Sequence, residues 1–524
     1  MYGVTKNALD EPGLTDVKCR LSSQSILPQQ VKKITQYSEY DIYPYHALKP
    51  GTIFNGYESL AIWISKQESV LIDGYIGVFW GEIQKALNEE LKKKNLKVKW
   101  FCTTDYLKKS SEINKLVEPF LGAPDSVWGT KSNLHIMDFF LLDALEDLLP
   151  DPEYDISIAI GIGSALLNWN APVIYLDIPK NELQYRMRAG SIKNLGNNHL
   201  QDSKSMYKRF YFVDWVILNE HKENIVNRLS ILGDAQWINN LTWIFSEDLQ
   251  AGLKQISHSV FRVRPWYEAG TWGGQWMKEH IKALNKTEIN YAWSFEMIVP
   301  ENGILFESDG NLLELSFDFL MFQQYKAVLG KHAEIFKTEF PIRFDFLDTF
   351  GGGNLSVQCH PTLPYIRKEF GENITQDETY YILDCKEGAK VYLGFQESIN
   401  SNEFRKELEN SRDHNREVDI EKYVQCHQAE KHDLFLIPNG TVHSAGVNNL
   451  VLEISATPYI FTFKMYDWLR MDLNGKPRPI NIEHAFNNLK FERKGEKVIS
   501  ELISKPVTIN RGTDWQLIHL PTHA

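Results

Sequence analysis

The sequence predicts two modules of different class: an α/β domain with a doubly wound, mostly parallel sheet, followed by an all-β jelly-roll barrel. Three observations predict this. Between residues 57 and 258, short apolar runs that read as buried on both faces alternate with amphipathic helices, the pattern of parallel strands covered by crossovers. From about Arg262 that alternation gives way to closely spaced β-type runs with Gly and Pro turns between them. The chain has 524 residues, 43% of them apolar, which is material for more than one core.

Residues 1–56 are polar, Pro- and Gly-punctuated and weakly periodic, and read as a lead-in with little structure of its own. In the domain assigned to 57–258, Val70-Leu71-Ile72 reads as a buried strand. The helix after it starts near Gly81, with Ile83, Ala86, Leu87 and Leu91 on one face. Val98–Cys102, Ile156–Ile160 and Val173–Leu176 read as further strands. In the domain assigned to 259–470, the β runs are Asn354–Val357, Thr379–Leu383, Lys390–Phe395, Leu434–Ile437 and Leu450–Ile454. One helical insert, NEFRKELENS from Asn402, interrupts them. Near the end of the chain, WQLIHLP from Trp515 reads as a strand, and His519 and His523 read as incidental.

The formal net charge of −12 argues against general nucleic-acid binding, which needs clustered Lys and Arg to neutralise phosphates. Five scattered cysteines without a Cys-x-x-Cys pair predict a reducing compartment, no disulfide scaffold and no thiolate zinc site. The N-terminus lacks the apolar run of a secretory signal, and the most apolar stretch, from Ile156, is too short for a membrane span. A cytoplasmic protein without a membrane partner is expected. No feature of the sequence sets its oligomeric state.

In VLIDGYIGVFWGEIQKAL, from Val70, Gly-rich sequence lies between a strand and a helix, where a phosphate-cradling loop would sit. This stretch and PVIYLDIPKNELQYRMRAG, from Pro172, resemble the uridine-kinase-like branch of P-loop kinases. The loop is degenerate: Phe79, Trp80 and Gly81 stand where that motif has Gly, Lys and Ser or Thr, so the phosphate-binding ammonium and the Mg²⁺-binding hydroxyl are missing. Asp73, Asp105 and Asp177 read either as small-molecule ligands at strand ends or as turn formers. Arg186 and Arg188 read either as anion binders or as residues on a solvated helix face.

The chemistry concentrates in NLSVQCHP, Asn354–Pro361. On a strand, Gln358 and His360 point to one face and Cys359 to the other. A strand opening at Glu378 and a post-turn histidine at His443 complete a set of two nitrogens and two oxygens. That set suits Zn²⁺ or another divalent transition metal in a site with an open position. The spacing is that of a cupin barrel.

With these residues in place, the sequence resembles the type I mannose-6-phosphate isomerases through WGG at Trp272, FLD at Phe346, NLSVQCHP, ETYYILD, GAKVYLGF at Gly388, IPNGTVHSAG at Ile437, VLEIS at Val451 and MYDW at Met465. The resemblance implies a zinc site on Gln358, His360, Glu378 and His443. It also implies an aldose–ketose isomerisation of mannose 6-phosphate to fructose 6-phosphate through an enediolate. Glu453 is the implied acid/base or orienting carboxylate, against a plain surface carboxylate; Lys464 is the implied cation.

Three positions depart from the family pattern. Gln376 and Asp345 stand where the family usually carries Lys, and Lys464 stands where it usually carries Arg, losing the planar fork. Arg343, Arg367 and Lys390 are candidates to compensate. The departures keep open an alternative in which a non-catalytic or regulatory cupin binds a sugar or sugar phosphate with its metal. The family usually continues into a second, ligand-free barrel, so 471–524 reads as a reduced or truncated one.

Overall fold

The computed structural model describes residues 19–31, 40–124, 126–458 and 460–522. Residues 1–18 and 32–39 of the expected lead-in, and His523, lie outside the described residues.

Seven strands form the first sheet, in the spatial order Ile53–Asn55, Thr242–Phe245, Leu229–Asp234, Val173–Asp177, Ser69–Gly74, Ile156–Ile160 and Val98–Cys102. The last five run parallel and the first two are antiparallel additions at one edge. Val70, Leu71 and Ile72 are wholly buried, as expected of a central strand covered on both faces. The helix Trp80–Lys93 buries Ile83, Leu87 and Leu91 at helical spacing.

Two boundaries move relative to the sequence reading. Parts of the lead-in are ordered by later strands: Ile53–Asn55 extends the α/β sheet, and Tyr45–Ala47 pairs in parallel with Gly303–Ser308. The hairpin Gly303–Ser308 and Asn311–Ser316, expected in the second module, closes the carboxyl ends of the parallel strands instead. Its backbone donates from Glu314 N to Asp234 Oδ2 (3.0 Å) and from Ser316 N to Asp177 Oδ2 (2.7 Å). Periodicity marks these residues as strands but is blind to partners 80 and 139 residues away.

The closed crevice replaces the ligand and anion-binder readings of its buried charged residues with internal pairing. Asp73 is fully buried and accepts from Gly163 N (3.0 Å) and Ala165 N (2.9 Å), with His221 Nε2 2.8 Å away. Lys222 lies 3.1 Å from Asp177 and 3.3 Å from Asp318, and Lys180 lies 2.9 Å from Asp318. Arg186 is buried, not on a solvated face, and donates to the carbonyls of Gly77 (2.7 Å), Ala235 (3.0 Å) and Gln236 (2.6 Å), with its guanidinium over the Phe79 ring. Arg188 pairs with Glu268 at 2.6 Å. Asp105 is exposed in a 3₁₀ turn after its strand.

The β unit consists of two antiparallel sheets. One has seven strands, in the order Ile503–Ser504, Leu434–Ile437, Asp377–Cys385, Asn449–Ala456, Ile342–Asp348, Trp293–Met297 and Trp266–Glu268. The other has five: Val424–Gln428, Lys390–Phe395, His443–Ala445, Val357–Cys359 and Phe463–Tyr466. Residues 471–522 build no second barrel among the described residues, which corrects that expectation. They supply the short helices Ile482–Phe486 and Glu496–Leu502, the edge strand Ile503–Ser504, and an exposed hairpin, Val507–Arg511 with Gln516–His519. So short a segment has too few apolar strands to enclose a core of its own.

Candidate metal centre

Strand register places the site. Residues directly opposite on neighbouring strands share a face. In the five-stranded sheet Leu393, His443, Gln358 and Lys464 form one such row. In the seven-stranded sheet Arg343, Ser455 and Glu378 form a row, and Asp345, Glu453 and Tyr380 form the next row on the same face. Alternation along Asp377–Cys385 buries Glu378, Tyr380 and Ile382. The two faces meet where Glu378 from one sheet reaches His360 and His443 from the other.

His360 Nε2 lies 3.1 Å from Glu378 Oε2, and His443 Nε2 lies 2.9 Å from Glu378 Oε1. Each of the three residues offers a ligand atom within 4.8 Å of the others. Gln358 joins them, its Nε2 3.3 Å from His443 Nε2 and its Oε1 accepting from Ser356 Oγ (2.8 Å). Turning the amide over would present Oε1 to the cluster.

A turn delivers His443. Gly440 has φ 76° and donates to the carbonyl of His360 at 2.9 Å. A Cβ there would come 2.4 Å from the Asn488 carbonyl oxygen, so the close approach requires glycine.

The imidazoles are oriented from behind. His360 Nδ1 is 3.1 Å from the Phe461 carbonyl and His443 Nδ1 is 3.0 Å from the Thr441 carbonyl. A carbonyl only accepts, so each Nδ1 carries a proton and Nε2 is the ring atom turned toward Glu378. His360 Nε2 and Glu378 Oε1 are buried without a hydrogen-bond partner. The two rings lie with their centroids 5.0 Å apart. His360, Glu378 and His443 would hold a divalent cation through atoms that otherwise include two buried ones without a hydrogen-bond partner, and a carbonyl-held Nδ1–H is the usual support of a ligating histidine. The donor set therefore fits a metal.

Around this cluster lies an acidic wall. Glu453 is 5% exposed, which removes the surface-carboxylate reading. Burial first, then the neighbouring Asp345 and Glu378, push its pKa well above the carboxylate range. Burial raises Asp345 to about 6, against the pull of Arg343. Arg343 Nη2 is 3.1 Å from Glu453 Oε1 and its Nε is 3.6 Å from Asp345 Oδ1. Gln376 Nε2 donates to Glu378 Oε2 at 2.7 Å.

Lys464 is half-buried, and burial, then the nearby Arg478, lower its pKa to about 8. Arg470 and Arg478 both engage Asp467, at 2.7 and 2.5 Å. Of the other candidate cations, Arg367 bonds the Asn373 carbonyl on the surface and Lys390 pairs with Glu421 in solvent. Sequence reasoning missed the orienting carbonyls of Phe461 and Thr441, for which no side-chain signal exists.

A family model described as a domain of unknown function (DUF8485) matches residues 56–258. The chain is 27% identical over 235 residues to the Bacillus subtilis protein named "Probable mannose-6-phosphate isomerase GmuF", covering 44% of this chain and 68% of that one. It is 23% identical over 222 residues to mannose-6-phosphate isomerase ManA of the same organism, covering 42% and 65%. Among solved structures it is similar to mannose 6-phosphate isomerase from Bacillus subtilis, with TM-score 0.35 and 20% identity over 48% of this chain and 73% of that one. A mutant of phosphomannose isomerase from Salmonella typhimurium gives TM-score 0.37 and 13% identity over 50% and 80%. No helix among the described residues is long and apolar enough to cross a membrane.

Proposed function

We infer that the β unit is a cupin-type, metal-dependent aldose–ketose isomerase acting on a hexose phosphate of the mannose 6-phosphate kind. The observation that carries this reading is the pair of imidazoles whose Nδ1–H groups are held by carbonyls and whose Nε2 atoms converge on Glu378. The curated relatives are named for that reaction. His360, Glu378 and His443 would hold the metal, with Gln358 as the fourth ligand through its amide oxygen. Zinc, or another divalent ion, supplies positive charge where the adjacent substrate oxygens become negative.

In this reading the chain's own groups divide the remaining work. Glu453 moves the proton between C2 and C1, and Arg343 holds its carboxyl in place. Lys464, on the row of Gln358 and His443, faces the developing enediolate or the phosphate. Gln376 orients Glu378 through its amide hydrogen.

A second reading, a sugar-binding protein without turnover, is favoured by one observation. The wall of Asp345, Glu453 and Glu378 has Gln376, a neutral amide, where the resembling family usually carries Lys. For the α/β unit the reading is a degenerate P-loop-kinase-like scaffold that binds no nucleotide, supported by Arg186 pinning the Gly77 carbonyl. Calorimetry with ATP and GTP tests it, and Mg²⁺-dependent binding would contradict it.

Metal analysis combined with C2-proton exchange across a panel of hexose phosphates decides between the first two readings. The isomerase reading expects one ion per chain and solvent exchange at C2 with aldose–ketose interconversion. Metal retained without exchange on any substrate would remove the enzyme reading in favour of the sugar binder.

A further inference from the structure

The His360 support is gripped from the other unit. Thr457, Pro458 and Phe461 lie beside the barrel and connect to two members of the cluster, one through Gln376 and one directly. At one end, Thr457 Oγ1 donates to Gln376 Oε1 (3.0 Å), whose Nε2 donates to Glu378 Oε2 (2.7 Å). At the other, the Phe461 carbonyl accepts from His360 Nδ1 (3.1 Å). Between them, the Pro458 carbonyl accepts a 2.7 Å hydrogen bond from the Tyr211 hydroxyl.

Tyr211 belongs to the α/β unit and lies in a π-helical turn, Phe210–Asp214. That local widening, uncommon and often tied to function, releases the Phe212 carbonyl to accept from Ser132 N (2.8 Å). It also sets the rings of Tyr211 and Phe212 side by side, each 6.2 Å from the Phe461 ring. Phe212 and Phe461 are fully buried, and Phe370 packs on Phe461 at 4.9 Å. The Tyr211 hydroxyl also lies 3.1 Å from Glu372, which pairs with Lys131. The hydroxyl and two rings therefore hold Pro458 and Phe461, the neighbours of the groups that support Glu378 and His360.

We propose that Tyr211 is a positioning residue for the metal centre, through which the α/β unit sets the orientation of His360 and Glu378 and hence the affinity for the ion. The proposal rests on the metal reading above. It also gives the joined α/β unit a task that needs no nucleotide.

The test uses the full chain with Zn²⁺ and Co²⁺ as probes. Chelator competition gives the Zn²⁺ dissociation constant, and the visible spectrum of the Co²⁺ form reports ligand geometry. Tyr211→Phe removes only the hydroxyl, and Thr457→Val removes the Gln376 branch from the other end. Each is expected to weaken Zn²⁺ binding by about tenfold, the scale of outer-shell ligand support, and to shift the Co²⁺ bands. Trp128→Phe is the control. Trp128 packs in the same interface on Phe463 and His484, 5.1 and 5.2 Å away, and its variant is expected to lower thermal stability and leave the Zn²⁺ constant within about twofold.

Unchanged Zn²⁺ affinity and Co²⁺ spectrum in Tyr211→Phe would overturn the proposal while leaving the metal reading intact. So would an equal loss of affinity in Trp128→Phe, which would make the effect a general one of the interface. Wild-type protein that holds neither ion would overturn the metal reading itself, and this proposal with it.

Discussion

Two buried polar clusters occupy the two units, and they are built on opposite principles. At the carboxyl ends of the parallel strands, Asp177 and Asp318 meet Lys222 and Lys180, and Asp73 is bonded by three backbone N–H groups and His221. The chain neutralises those charges with its own cations. Inside the barrel, Asp345, Glu378 and Glu453 face one arginine, and two imidazoles turn their Nε2 atoms toward a carboxylate. The difference separates a structural charge network from a ligand site better than the position of either in the fold. The strand-end crevice, the usual place for a ligand, is closed here.

The sharpest way to break the comparison is at the barrel. Glu378→Gln or His443→Ala is expected to take metal content from about one ion per chain to none and to abolish turnover, as read by elemental analysis and C2-proton exchange. Full metal content in both variants would remove the ligand assignment. The strand-end network should respond in the opposite sense. Lys222→Met leaves Asp177 and Asp318 buried with one cation fewer and is expected to cost about 3–5 kcal/mol in denaturant unfolding, with the metal content unchanged.

A pH titration sharpens the same contrast. Burial, then repulsion from Glu314, raises Asp234 to about 7. Between its unfolded value near 4 and 7, the folded state binds a proton that the unfolded state has released. The group's contribution is therefore fully present below pH 4 and is lost as pH rises through about 7. Asp234→Asn is expected to flatten the decline in stability between pH 4 and 7 by on the order of 4 kcal/mol, measured by unfolding at each pH. The smallest effect belongs to Lys390, an exposed partner of Glu421. Lys390→Ala should change stability by less than about 0.5 kcal/mol and leave isomerisation rates unaltered.

Much of the site was legible because β spacing encodes which side chains share a face. Gln358, His360, Glu378 and His443 could be read from NLSVQCHP, ETYYILD and the turn before His443, and the structure brings these four together. Arg343, one of three candidate cations, reaches Glu453, whereas Arg367 and Lys390 do not, a distinction that depends on strand register. The strands at Val70, Ile156 and Val173 were visible because buried β-branched runs have no other use, whereas Val98–Cys102, expected to be buried on both faces, is an edge strand that is only partly buried throughout. The roles of Asp73, Asp177, Arg186 and the 303–316 hairpin were not, because pairing between residues far apart in the chain leaves no periodic trace. Backbone carbonyls such as those of Phe461 and Thr441 are invisible in principle, since every residue has one.

The hairpin that closes the α/β sheet also dictates an order of events during synthesis. Asp177 and Asp234 emerge with their strands, but the backbone N–H groups of Ser316 and Glu314 that bond them follow only after the last helix of that sheet, Ser246–Ile256. Until then the nascent unit holds two Asp carboxylates at an open crevice, a state that invites either delay or a chaperone. A fragment ending at residue 258 would lack those two donors, so the unit defined by sequence similarity omits part of the polar network at its own strand ends.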